Sequence, residues 1–220
     1  MQENRNRTLG GGCQNRRIEV PPLPNTGSVI NMNSSILMQA ESLTDASIIA
    51  ATTLWLERAV IGLNLCPFAK AVLVKQQIRF AVCHAEQPGD LLAALIRELQ
   101  LLADTDPMVT DTSLLIHPFV FTEFLDYNDF LDVADSAIAT LGLEGELQIA
   151  SFHPRYQFAD TDVDDITNYT NRSPFPTLHL LREASVTRAV VAFPEAAEIF
   201  RKNIQTLREL GKAGWDKLEE

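Results

Sequence analysis

Cys66 and the histidines are where this sequence can do chemistry, and most of them sit where the chain breaks from one element to the next. Cys66-Pro67 matches a helix N-cap followed by Pro at the first helical position, opening a short turn through Val72. A thiol placed there meets unpaired N–H groups and the positive end of the helix dipole, so its pKa is expected below the free value and the thiolate is favoured. Lys70, one turn on, adds to that effect. Of the four histidines, three close apolar runs: Cys83-His84, Ile116-His117-Pro118 and Phe152-His153-Pro154. A thiolate needs only a positioned imidazole and an oxyanion donor to carry out hydrolysis or acyl transfer. Cys66 as nucleophile and His153 as its base are therefore the candidate catalytic pair. His179, among Leu178, Leu180 and Leu181, reads as a packed residue. The string CPFA lacks the second cysteine that a dithiol redox site requires.

His153 opens a long polar stretch that runs to Ser173. It carries Asp160-Thr161-Asp162-Val163-Asp164-Asp165 and two arginines, with enough aromatic area in Tyr156, Phe158 and Tyr169 to read as an ordered site loop. Arg155 and Arg172 are candidate anchors for an anionic metabolite, and Tyr156, Asn171, Ser173 and His117 complete the candidate ligand-binding set. Ser173 followed by Pro174 also reads as the start of a helix over about Ser173–Ala184. The aspartates fail the calcium-loop pattern, because the sixth and twelfth positions from Asp160 are Asp165 and Asn171. They read as a solvated turn whose acids cap a short helix through Thr167. A metal-dependent hydrolase using His117, His153 and these aspartates is the alternative.

Several elements must position these groups. A helix is expected from Thr44 or Asp45 to about Gly62, with Ile48, Leu54, Trp55 and Ile61 on its apolar face. Ile78–Cys83, Ser113–Ile116 and Leu147–Phe152 read as three strands. Between them, Gln87-Pro88-Gly89-Asp90 starts one helix carrying Leu91, Leu95, Leu99 and Leu102, and Tyr127–Leu141 forms another ending at Gly142. Strand–helix–strand–helix–strand predicts an α/β domain of three layers, with a three-stranded, mainly parallel sheet and helices on both faces. Ser185–Phe193 and Glu195–Leu210 read as further helices. In such a sheet, ligands bind outside the carboxyl ends of the strands, where the three histidines fall. All three imidazoles are thus expected to face one crevice beneath the 153–176 loop.

At 220 residues the chain suits one domain, 44–220, behind an N-terminal extension, 1–43, whose Gly, Pro, Asn and Ser content reads as disordered. A net charge of −11 disfavours nucleic acid, which needs a basic footprint. No apolar run reaches a membrane span and no secretory leader is read, so no membrane partner is expected. Three widely spaced cysteines do not form a disulfide framework, and a cytoplasmic location is expected. No Gly-rich phosphate loop, dinucleotide fingerprint or paired CxxC is present, so no cofactor is expected. The partner expected is a small-molecule ligand.

The strings GLNLCPFAKAV (62–72), LIHPFVFTEFLDYNDFLDVAD (115–135), FHPRYQF (152–158) and TNRSPFPTLHLLRE (170–183) resemble a bacterial and plant family labelled domain of unknown function 1415. The resemblance runs from about Ser47 to Leu218 and implies one small soluble domain. It brings no activity or catalytic residue. The residues themselves suggest a small cytoplasmic enzyme acting on an anionic metabolite by thiol-based hydrolysis or acyl transfer. The third reading is a non-catalytic ligand- or protein-binding domain.

Overall fold

A computed structural model describes residues 43–192 and 198–219. The expected extension lies outside them but for Leu43, as do the first residues of the helix expected from Glu195. Helix α1 (Asp45–Trp55) begins in a capping box: Thr44 Oγ1 accepts the Ser47 N–H at 3.2 Å, and Ser47 Oγ accepts the Thr44 N–H at 3.1 Å. It widens into a π-helical turn, Leu56–Ile61, in which the Gly62 N–H reaches the Glu57 carbonyl at 2.9 Å. Such turns are rare and frequently mark functional sites.

The wide register needs a glycine at its end. A Cβ on Gly62 would fall against the Arg58 carbonyl oxygen, well inside any contact distance. Gly62→Ala is therefore expected to cost roughly 1–3 kcal/mol, as overpacking does. Urea unfolding reads this, and a variant as stable as the wild type would show that the turn relaxes to ordinary α geometry.

The chain continues through α2 (Ala69–Val74), β1 (Ile78–Val82), α3 (Pro88–Asp104), β2 (Thr112–Ile116), α4 (Phe124–Thr140) and β3 (Leu147–Phe152). A loop containing a 3₁₀ turn (Ile166–Thr170) then leads to β4 (Thr177–Arg182), α5 (Glu183–Ala192) and α6 (Ile199–Glu219). Both crossover helices read from the sequence are present. Gly142, at φ 70°, ends the second in the left-handed conformation that favours glycine.

The sheet corrects the expectation of three mainly parallel strands. It has four strands in the order β1-β2-β4-β3; β1 and β2 are parallel, whereas β4 runs antiparallel to both β2 and β3. The segment expected to be a helix over Ser173–Ala184 is instead β4 up to Arg182. Ser173-Pro174 mimicked a helix start, and a six-residue apolar run carries too little periodicity to correct it. Because β1, β2 and β3 all point the same way, their carboxyl ends still share one edge of the sheet.

Leu91, Leu95, Leu99 and Leu102 of α3 and Tyr127, Leu131 and Ala134 of α4 pack with Leu115, Leu147, Leu178 and Leu180 on one face. On the other, Ile48 of α1 meets Leu114 and Ile116. A satellite core joins Ala59, Leu65, Leu207 and Trp215, so α6 packs on the π turn and loop. Helices thus lie on both faces, but the second is covered incompletely.

Candidate functional site

The three strand-end histidines share an edge without sharing a crevice. His84 Nε2 lies 2.5 Å from the Asp45 carboxylate at the surface, and its ring stacks on Phe119. His117 and His153 are fully buried, and both stack on Tyr127 of α4, at centroid distances of 5.6 and 5.2 Å. His117 Nδ1–H donates to the Val120 carbonyl at 3.1 Å. His153 Nε2–H donates to the Phe121 carbonyl at 3.1 Å, and its Nδ1 accepts the Arg155 N–H at 3.0 Å. Both nitrogens of His153 are therefore committed to the backbone. Desolvation brings the pKa of each buried ring down to about 4.

The 153–176 loop is ordered by its own polar groups. Asn168 Oδ1 accepts the Phe158 N–H at 3.0 Å and the Thr161 hydroxyl at 2.8 Å, and its Nδ2 donates to the Asp162 carbonyl at 2.8 Å. Asp165 caps the 3₁₀ turn by accepting the Thr167 N–H at 2.8 Å, a bond that holds its carboxyl below the usual range. Among the described residues, no three His, Cys, Asp or Glu side chains gather as a metal site.

The expected ligand-binding residues separate into two groups. Tyr156 is buried against Phe124 and Phe158, and buried Asn171 donates to the Ser151 carbonyl at 3.1 Å. With His117, these form scaffolding. Arg155 sits at the surface, bonded to Glu123 and the Thr122 carbonyl. Arg172 and Ser173 do line an open groove, beside α6.

Cys66 lies elsewhere. It is half-buried in the segment before α2, which opens at Ala69 with Phe68 as its N-cap and no side-chain cap bond, not at Pro67 under a Cys66 cap as expected. The Ala69 N–H reaches the Cys66 carbonyl at 3.2 Å, and the Phe68 and Ala69 N–H groups still make hydrogen bonds to the Cys66 sulfur. Those bonds lower the thiol's pKa, but desolvation outweighs them and the net shift is upward, correcting the expected depression. His153, on the α4 side of the sheet, is not brought to it. The histidine that shares a cavity with Cys66 is His179.

That cavity, of about 840 Å³, lies over the bare part of the second sheet face. Its floor is Leu114, Ala150, Phe152, His179 and Leu181, and its walls come from the π turn, α2 and α5. Thr112 Oγ1 donates its proton to the Leu180 carbonyl at 2.6 Å, so His179 Nε2–H must donate to Thr112 at 2.7 Å. Nδ1 is left as the basic nitrogen. Desolvation over the apolar floor lowers this ring's pKa to about 4 as well. The signal for His179 was the alternation Thr177, His179, Leu181, which sets it opposite Leu178 and Leu180 once the run is a strand. Among the described residues, no helix is long and apolar enough to cross a membrane.

The family described as Protein of unknown function (DUF1415) matches residues 47–217, and no curated protein or solved structure matches. The chain belongs to that family.

Proposed function

We propose that this member of the family is a small-molecule-binding domain, whose ligand lies in the cavity with its apolar body against Trp55, Leu114, Ala150, Phe152 and Leu181. The observation that carries this reading is the size and lining of the cavity. Small-molecule sites run to about 300–1,000 Å³ and set a few polar groups in a mainly apolar wall. Here those groups include Cys66, Gln77, Thr112, Gln148 and His179, with Lys75, Asp106, Asp111, Ser185 and Arg188 also on the lining. The π turn adds support, since Trp55, Leu56 and Val60 enter the cavity from it and from its start. A reducing compartment such as the cytoplasm suits the unpaired Cys66 and Cys83.

Ala150→Trp, which fills the cavity from its floor, tests the reading. The neutral apolar dye N-phenyl-1-naphthylamine is expected to bind the wild type saturably and the variant at least about tenfold more weakly, a difference of 1.4 kcal/mol. Equal binding by both, with circular dichroism showing both folded, would remove the cavity from the function.

Thiol-based acyl transfer is a second reading, favoured by Cys66 and His179 lining one cavity with two N–H groups at the sulfur. A raised thiol and a weakly basic imidazole leave the pair uncharged at neutral pH, which is why binding ranks first. Alkylation of Cys66 by iodoacetamide should show a midpoint above the 9.0 of an unperturbed thiol. A midpoint below it, together with an ester-derived acyl adduct on Cys66, would reverse that order.

A further inference from the structure

We propose a second site on this domain: the groove between the π turn, the end of the 153–176 loop and α6 binds a small anion carried on a flat apolar body, an aryl phosphate or aryl carboxylate. The groove holds about 440 Å³ and is lined by Trp55, Arg58, Tyr169, Arg172, Lys212 and Trp215, among others. Among the described residues no aspartate or glutamate lines it, although the chain's net charge is −11.

Its two arginines are held by groups that leave their charge in place. Arg172 donates through Nε to the Tyr156 carbonyl at 3.2 Å and through Nη2 to the Val163 carbonyl at 2.7 Å, and its guanidinium carbon stands 4.3 Å from the centre of the Tyr169 ring. Arg58 Nη1 donates to the Leu218 carbonyl at 2.9 Å. Neither guanidinium has a carboxylate partner among the described residues. Lys212 pairs with Asp216 one turn along α6, so its charge is partly offset.

Carbonyl bonds and ring stacking hold Arg172 in place before a ligand arrives, which cuts the entropy lost on binding. A guanidinium presents parallel N–H groups that match phosphate or carboxylate oxygens. The walls select the other end of the ligand. Tyr169 and Trp215 meet edge to face at 4.9 Å, and Trp55 lines the same groove, so a flat apolar body has aromatic surface to lie on. The site shares Trp55 with the cavity but none of its polar groups.

Calorimetric titration of the full chain tests this with phenyl phosphate, benzoate, inorganic phosphate and phenol as probes. Phenyl phosphate or benzoate is expected to bind saturably, at least about tenfold more tightly than inorganic phosphate or phenol, and the tighter of the two identifies the anion. Arg58→Gln and Arg172→Gln are each expected to weaken that binding by at least about tenfold, and added salt should weaken it in the wild type. Arg58 is exposed, so its variant remains informative if Arg172→Gln disturbs the loop it braces. Ala150→Trp, which fills only the cavity, should leave the affinity unchanged. The proposal is overturned if neither aryl anion binds saturably below about 10 mM, if Arg58→Gln binds like the wild type, or if Ala150→Trp abolishes binding.

Discussion

Stability should fall steeply as the pH drops from about 6.5 to about 4, with the loss beginning above the range in which carboxylates titrate. His117, His153 and His179 each have a pKa lowered from 6.5 to about 4, in every case chiefly because burial disfavours the charged ring. Above pH 6.5 each is neutral in both the folded and unfolded chains and stability does not depend on it. Below that, the unfolded chain takes up a proton that the folded chain refuses, so stability is lost progressively until the folded value is reached. For the two fully buried rings, 1.36 kcal/mol per unit makes this about 3 kcal/mol each below pH 4, and about 2 kcal/mol each by pH 5. Against a total of about 5–15 kcal/mol for a typical domain, that is enough to unfold a marginal one.

Urea unfolding at pH 7.5 and pH 5 measures the loss directly. His117→Asn and His153→Gln place a neutral donor near the nitrogens that bond Val120 and Phe121, and each should remove up to about 1.4 kcal/mol per pH unit from the slope. Equal stability at the two pH values would show that the folded rings take up protons as readily as the unfolded chain does, and variants that keep the full slope would show that other groups set it.

Arg182→Ala should be the most damaging single truncation in the sheet, at roughly 3 kcal/mol or more, since buried hydrogen bonds to a charged donor are lost and their acceptors left dry. Arg182 ends β4, is 7% exposed, and its Nη2 donates to the carbonyls of Leu102 and Thr105, both at 2.5 Å, and of Thr110 at 3.3 Å. Leu102 lies in the last turn of α3 and Thr105 is its C-cap, so the guanidinium sits at the negative end of the helix. Removing it strands the buried carbonyl of Leu102 and the part-buried carbonyls of Thr105 and Thr110, in the joint between α3, the 105–111 connection and the sheet. Urea unfolding at pH 7.5, where the histidines do not contribute, isolates the effect. A loss under about 1 kcal/mol would mean that water replaces the guanidinium. Arg182→Lys should recover part of the loss, because one ammonium reaches fewer of the three oxygens.

Local patterns were enough to read α1, α3, α4 and the first three strands. The Thr44 cap, Pro88 at a first helical position, the leucine stripe of α3 and Gly142 are each written within a few residues of what they control. That an acid of the Asp160–Asp165 run caps a short helix was legible for the same reason, although the turn runs over Ile166–Thr170 and does not end at Thr167. The aspartate pattern also failed the calcium template on spacing alone.

What the sequence could not decide depends on partners distant along the chain. β4 is a strand because β2 and β3 leave an unpaired slot between them, and nothing within Thr177–Arg182 records that slot. Its insertion separates β3 from β2 and sets His179 over the cavity floor. Cys66 was read as the cap of a helix opening at Pro67; the helix opens instead at Ala69, and Cys66 keeps only two nearby N–H groups. Its pKa goes up nonetheless, because desolvation comes from the cavity walls that tertiary packing brings around it. His117 and His153 reach the sheet edge their spacing implied, yet Tyr127, Val120 and Phe121 turn them into buried structural groups. Capping and periodicity act over one or two turns and can be read from neighbours. Burial, strand pairing and the choice of which polar groups share a cavity are set only when segments far apart in sequence pack together.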